Sequence, residues 1–205
     1  MTETVINKIN NKIKSLPKGK IIFIKDFANL GNDVVVRQSL KRLVAKEKLV
    51  KVSQGIYYKP KKDKILGNLK PSVEKIAEAI ARRDKARIIP TGSYALYKLG
   101  LSEQIPMNIV YLTDGSARVV KIGTRKITFK RTSPKNLAIE HKLSSMLIQG
   151  LKELGEKNIN EVIKKRIKGI IKQNKDIDEI KMSLLDAPVW VQNVIKEIII
   201  EIENE

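Results

Sequence analysis

Cysteine is absent from the 205 residues, which removes disulfides, thiolate catalysis and every cysteine-ligated metal at once. Histidine occurs once, at His141, too few to supply the two or three imidazoles of a typical zinc site. No apolar run approaches the roughly 20 residues of a membrane span, and the N-terminus lacks the apolar core of a signal peptide. The expectation is therefore a soluble, cytoplasmic protein that binds no membrane. Acidic residues are also in short supply: 22 Asp and Glu face 41 Lys and Arg, a formal net charge of +19. With 42% hydrophobic residues the chain can still build a core, so it is no disordered basic tail. A basic globular protein of one or two small domains has a polyanion as its expected partner.

The distribution of charge sharpens that expectation. Residues 1–60 carry 13 basic and 4 acidic side chains, and residues 61–134 carry 16 and 6. Residues 135–205 carry 12 of each. A lysine-rich coding bias would load the last third as heavily as the rest. A nucleic-acid footprint would be concentrated, as this excess is.

Hydrophobic spacing predicts a helix over 2–15, with Thr2 as its cap and Val5, Ile6, Ile9 and Ile13 on one face. Ile21, Ile22 and Phe23 suit a brief strand. The string KDFANLG suits a short helix closed by a left-handed Gly31. Asn32 or Asp33 then caps a helix running to about Lys48, with Val36, Leu40, Leu43 and Val44 as its buried stripe. LVKVSQGIYYKP reads as a hairpin turning at Ser53-Gln54-Gly55. Helix, strand, helix, helix, hairpin within 60 residues is the order of a winged helix-turn-helix. The Lys-rich stretch 61–71, ending at Pro71, reads as a linker.

The expected class is α+β. A winged helix-turn-helix over 1–60 precedes a C-terminal α/β domain over 72–205, with a small, mainly antiparallel sheet and several terminal helices. In that second domain Ser72 caps a helix, and strands are expected at 107–113, 117–122 and 126–130. Ser133 with Pro134 starts a helix over 135–154. Further helices are expected over 159–173, 176–186 and 188–203, with Asn158, Asp176 and Asp186 near their starts. The final helix has more apolar surface than one face needs, which fits either core or a self-association surface.

In a helix-turn-helix the second helix enters the major groove with its N-terminal residues nearest the base edges. That geometry turns Asn32, Asp33, Val34, Arg37, Gln38 and Lys41 toward the groove. Arg37 is suited to guanine O6 and N7, and Gln38 to adenine N6 and N7. Arg42, Lys46, Lys48 and Lys51 would meet phosphates, with Gln54 on the wing. Tyr57 and Tyr58 alternate along a strand, so one ring packs on the helices and one faces out, with Tyr58 counted among the DNA-facing residues. The competing reading of this face is an ordinary solvated helix surface.

These strings taken together resemble the AbiEi-type antitoxins, the transcriptional regulators of type IV toxin–antitoxin systems. The likeness lies in Ser53-Gln54-Gly55-Ile56-Tyr57-Tyr58-Lys59-Pro60, Gly92-Ser93-Tyr94-Ala95-Leu96, Leu99-Gly100-Leu101, Gln104-Ile105-Pro106 and Arg131-Thr132-Ser133-Pro134-Lys135-Asn136-Leu137. It covers roughly residues 5–150. The resemblance implies a repressor of its own operon, acting on a double-stranded operator, with a homodimer on DNA as one arrangement. It also implies a C-terminal domain that opposes a nucleotidyltransferase-type toxin, by meeting that toxin or its tRNA substrate.

Enzymatic readings fare worse. A nucleotidyltransferase using Gly92-Ser93 needs paired carboxylates on a following strand, and Glu103 and Asp114 each stand alone. Asp176 and Asp178 have the spacing but read as a helix-start pair. A nuclease using Asp114, Glu140 and Lys142 would place its acid-x-Lys pair inside a helix. Ser93 has only His141 as a candidate base. No catalytic residue, metal or cofactor is assigned. A second basic surface is expected on the sheet, from Lys121, Arg125, Lys126, Lys130 and Arg131 together with Arg118. Lys126 and Lys130 share a face opposite Ile127 and Phe129. That surface suits flanking DNA or an RNA shape, and a tRNA-binding module without sequence-specific DNA recognition is the alternative function.

Overall fold

A computed structural model describes residues 4–65, 67–174 and 177–205. The architecture is α+β. It divides into two compact units, Met1–Ile80 with Lys121–Gly123, and Ala81–Val120 with Thr124–Glu205.

The first unit opens with α1 (Val5–Ser15). Thr2, the expected cap, lies outside the described residues, and Thr4 takes that role, its Oγ1 accepting from the Asn7 amide at 3.4 Å. After β1 (Ile21–Phe23) the expected helix in KDFANLG is only a 3-10 turn, Ile24–Phe27. Asp26 accepts from the Phe23 amide at 2.8 Å and stitches that turn to the strand. Gly31 does not take the left-handed conformation. Its requirement is space: a Cβ there would stand 2.7 Å from Val5 Cγ1.

Next comes α2 (Asp33–Ala45), capped by Asn32, whose Oδ1 accepts from the Val35 amide at 3.0 Å. The helix stops three residues short of Lys48. Glu47 turns to φ 54°, and the amides of Lys48 and Leu49 both fold back on the Leu43 carbonyl. β2 (Val50–Ser53) and β3 (Ile56–Tyr58) follow, joined through Gln54 and a left-handed Gly55 at φ 71°. The sheet order is β1-β3-β2, both pairings antiparallel, with Tyr58 opposite Ile21 on one side and Val50 on the other.

Ile9 and Ile13 of α1 pack with Ile22, Phe27, Val36, Leu40, Leu43, Leu49 and Tyr57 in one apolar cluster. Lys59, inside the string that carries the family resemblance, closes the end of α1. Its ammonium donates to the carbonyls of Ile13, Lys14 and Leu16 at 2.9, 2.7 and 2.6 Å. These are among the carbonyls that a helix C-terminus leaves without intrahelical donors.

The stretch expected as a linker, 61–71, carries an antiparallel hairpin of β4 (Lys61–Asp63) and β5 (Gly67–Leu69). Its turn is set by Asp63 Oδ1, which accepts from the Ile65 amide at 2.9 Å. Ser72 caps α3 (Val73–Asp84), and the division between the units falls within that helix.

After α3 comes a four-stranded sheet of β6 (Ile88–Thr91), β7 (Asn108–Thr113), β8 (Arg118–Ile122) and β9 (Arg125–Arg131), in the order β6-β7-β9-β8. β6 and β7 are antiparallel, while β7 and β9 run parallel because β9 inserts between β7 and the edge strand β8. α4 (Ser93–Lys98) follows β6 and buries Tyr94, which meets Tyr111 edge-on at 5.7 Å.

The helix expected from Ser133-Pro134 is a 3-10 turn, Pro134–Leu137, and α5 (Lys142–Leu154) begins later. The Leu137 carbonyl accepts from Arg87 Nη1 at 3.1 Å, a contact that draws it away from the next helical turn. α6 (Glu161–Asn174) is capped by Asn160, whereas Asn158 closes α5 by donating to the Leu154 carbonyl. Asp176 lies outside the described residues. α7 (Ile177–Ser183), a 3-10 turn over Leu184–Asp186 and α8 (Val189–Glu203) complete the chain, with Pro188 at the cap of α8.

α8 contributes Val191, Ile195, Ile198 and Ile199 to a large cluster shared with α5, α6 and α7, and Ile200 remains exposed. Along its flank Lys164 meets Glu197 at 2.6 Å, Lys168 meets Glu201 at 3.0 Å, and Lys172 meets Glu205. The constant step of four residues on both partners makes α6 and α8 parallel neighbours. Side-chain hydrogen bonds from Lys168 and Lys172 bring the Glu205 carboxyl down to about 2.

Lys59→Met keeps the aliphatic stem and removes the three charge-assisted hydrogen bonds. It should lower the stability of the first unit by about 2 kcal/mol, read as a lower urea midpoint by circular dichroism. An unchanged midpoint would show that water serves the end of α1 equally well.

Candidate nucleic-acid interface

α2 divides into two faces. Val36, Leu40 and Leu43 are 1%, 0% and 5% exposed. Asn32, Val34, Arg37, Gln38, Lys41 and Arg42 are exposed on the other side. This partition follows from the sequence, because the apolar positions recur at four and three residues and so share one stripe of the helix. Val34 is the outlier, an apolar side chain 62% exposed in the first turn.

Two of the polar side chains are already engaged. The carbonyl of Asn32 caps the helix, which leaves its amide nitrogen to reach outward. Arg37 Nη2 donates to Asp33 Oδ2 at 3.1 Å, an i,i+4 pair with both side chains largely in solvent. That partnership was legible as a helical spacing of opposite charges, but sequence reasoning missed it. Lys46 and Lys48 lie beyond the helix end and are exposed, as are Lys51 on β2 and Gln54 at the turn.

Tyr58 does not belong to this surface. It is 2% exposed, and Tyr57 is 8% exposed, so neither ring faces out. β3 is the central strand of its sheet, and its three residues are buried regardless of the face they point to. Burial raises the Tyr58 hydroxyl above the usual phenol range. The alternation was read correctly, but the assumption that one face of this strand is open was not.

On the second unit's sheet, Lys126 and Lys130 are exposed on the same face of β9, with Ile127 and Phe129 buried opposite. Arg131 is exposed and Arg125 is half-buried, while Lys121, which falls in the first unit, is exposed there. Arg118 turns inward instead. It pairs with Asp84 and lies over the Phe129 ring at 5.2 Å from its centre. Burial alone would raise Asp84, but hydrogen bonds and charge from Arg83 and Arg118 outweigh it and hold the carboxyl below its usual range.

The residues considered for catalysis are not brought together. Asp114 accepts from the Arg87 backbone amide at 2.8 Å and from Arg87 Nε at 3.1 Å, and those bonds hold its carboxyl low. Glu140 precedes α5 and Lys142 is its first residue, so the acid-x-Lys pair straddles the start of a helix. His141 Nδ1 is 2.7 Å from Ser144 Oγ and its Nε2 is 3.7 Å from Glu179, yet Ser144 is fully buried, out of reach of a substrate. Ser93 lies instead in a cleft of about 440 Å³ with Thr91, Gly92, Asn108, Lys130 and Glu153. Glu153 is the single carboxylate lining it, where a two-metal phosphoryl transfer needs a clustered set. Among the described residues no group of three or more His, Asp or Glu side chains is placed to hold a metal, and no helix is long and apolar enough to cross a membrane.

A family model described as DUF6088, a family of unknown function, matches residues 8–180. The chain belongs to the DUF6088 family. The matched span takes in α2, the β2–β3 turn and the basic strand β9. No curated protein matches the chain. Among solved structures the chain is similar to the RV2827C protein from Mycobacterium tuberculosis, at 10% identity and a TM-score of 0.47 over 93% of this chain and 74% of that one.

A carboxyl whose folded pKa is depressed adds stability that is complete above its unfolded value, about 4, and that fades as the pH falls through the folded one. The second unit should therefore lose stability below about pH 4, partly through Asp84. Asp84→Asn should remove part of that acid dependence and cost about 2 kcal/mol at pH 7, since Arg118 loses its charge partner. Urea denaturation between pH 3 and 7 checks both, and an unaltered acid limb would show that Asp84 does not contribute.

Proposed function

We propose that this DUF6088 protein is a cytoplasmic, non-enzymatic regulator that binds double-stranded DNA through its first unit, as a winged helix-turn-helix. α2 is the reading helix and the β2–β3 turn is the wing. The observation that carries this reading is the cationic face of α2, Arg37, Gln38, Lys41 and Arg42, standing exposed opposite the buried row of Val36, Leu40 and Leu43. Lys46, Lys48, Lys51 and Gln54 extend it toward the wing with groups suited to phosphates. The major groove admits one helix, and Arg and Gln are residue types that read guanine and adenine edges bidentately.

The resemblance to AbiEi-type antitoxins supports a narrower role. In it the protein represses its own operon, as a monomer or a homodimer on the operator, and opposes a nucleotidyltransferase-type toxin encoded beside it. The exposed residues Lys126, Lys130 and Arg131, with Arg125, form a second basic surface for flanking DNA, for the toxin or for its tRNA substrate. Co-expression with such a neighbouring gene should restore growth that the neighbour alone arrests. Failure to restore it would remove the antitoxin role and leave DNA binding standing.

The DNA reading is tested by fluorescence anisotropy with duplexes from the protein's own upstream region. Affinity should fall by about 0.9 log units per log unit of salt for each phosphate contact. Arg37→Ala should cost about 1–3 kcal/mol on the preferred duplex and flatten the preference, whereas Lys51→Ala should weaken all duplexes alike. Discrimination that survives Arg37→Ala would rule out α2 as the reading helix. Displacement of duplex by tRNA at equal concentration and salt would favour RNA as the ligand.

A further inference from the structure

The geometry points to Asp33 as the residue that sets sequence discrimination, by holding Arg37 in position and repelling any duplex that Arg37 does not engage. The inference rests on α2 being the reading helix. A carboxylate at the leading end of such a helix needs a reason, because the phosphates and the guanine and thymine edges present acceptors, and the groove's donors are limited to cytosine N4 and adenine N6. Capping is not that reason, since Asn32 performs it. Among the described residues the one partner of the Asp33 carboxylate is Arg37, through a single bond from Nη2 at 3.1 Å.

That bond uses one of the five N–H groups of the guanidinium and leaves the others for a base edge. Guanine O6 and N7 need two of them. Arg37 therefore meets a guanine without releasing Asp33, and the carboxylate restrains a long side chain that would otherwise sample many rotamers. In solvent an exposed pair of this kind is weak. Inside a groove that excludes water the same pair strengthens, because the local dielectric falls.

The second consequence concerns the wrong sequence. Where no guanine faces Arg37, the guanidinium is pulled toward phosphates and leaves Asp33 as an uncompensated negative charge against a polyanion. Specificity is a difference of affinities, and a repulsive element that acts mainly on non-cognate partners enlarges it. Asp33 thus lowers affinity for DNA in general while raising the ratio between preferred and scrambled sequences. A purely structural helix residue would shift both affinities in the same direction.

The test is a binding selection from a random duplex library, followed by anisotropy on the selected duplex and its scrambled counterpart. It uses the full chain as wild type, Asp33→Asn, Asp33→Glu, Arg37→Ala and the Asp33→Asn, Arg37→Ala double variant. The wild-type selection should fix a guanine. Asp33→Asn should tighten the scrambled duplex by about threefold or more, as one negative charge leaves the interface. It should also lower the selected-to-scrambled ratio by about tenfold, the scale of one lost base contact. Asp33→Glu, which can still reach Arg37, should restore the ratio to within about threefold. The double variant should discriminate no worse than Arg37→Ala alone, since without Arg37 the carboxylate has no guanidinium to hold. Thermal melts check that each variant keeps the wild-type stability. An unchanged ratio in Asp33→Asn, or equal weakening on both duplexes, would overturn the role of Asp33. Absence of salt-dependent duplex binding by the wild type would overturn the reading of α2 itself, and this inference with it.

Discussion

The burial of one row of α2 fixes what the first unit can present to a partner. Val36, Leu40 and Leu43 are committed to the cluster formed with Ile9, Ile13, Phe27 and Leu49. Burying each such side chain is worth about 1.5–3 kcal/mol, so rotating the helix to expose them would cost most of the stability of a small unit. The cationic side of α2 is therefore held outward by the apolar side and needs no interaction of its own. That is why a charge pattern in the sequence can be read as a surface here: hydrophobic burial decides the rotation, and the charges follow.

The same logic warns against counting lysines. Several cations in the basic two thirds are not available to an external polyanion. Lys59 binds three carbonyls at the end of α1, and Lys12 reaches the Asp26 carbonyl across the Phe27 ring. Arg87 joins Asp114 to Leu137, and Arg118 is committed to Asp84. Exposed cations remain on α2, on the segment that follows it and on β8 and β9, and also on α1 and the loop after it, at Lys8, Lys14, Lys18, Lys20 and Lys25. Net charge measures the field felt at a distance, whereas contact depends on which of those charges the fold leaves free.

Legibility in the sequence varied with the kind of signal. The faces of α2 and β9 were readable because periods of 3.6 and 2 depend only on backbone geometry. The hairpin at Gly55 was readable because the turn requires a left-handed residue. Tyr58 was misjudged because its burial depends on β1 pairing with β3 across more than 30 residues, and nothing within the string SQGIYYKP encodes that third strand. The Ser133-Pro134 start was misjudged for a related reason. Its local capping chemistry is sound, but Arg87, 50 residues away, takes the Leu137 carbonyl. The hairpin at 61–71 escaped notice because backbone pairing among lysines leaves no hydrophobic alternation to detect.

The neutral last third has a physical cause that bears on function. α6 and α8 run parallel, so their macrodipoles align side by side rather than cancelling, a mildly unfavourable arrangement. Lysines stepping every four residues along α6 face glutamates stepping likewise along α8. Each exposed pair contributes little, about 0–1 kcal/mol, yet a row of them fixes the register of the two helices against sliding. Because these lysines are matched within the fold, this flank adds no net attraction for a polyanion. Helix pairing thus accounts for part of the charge balance in residues 135–205, through Lys164, Lys168 and Lys172.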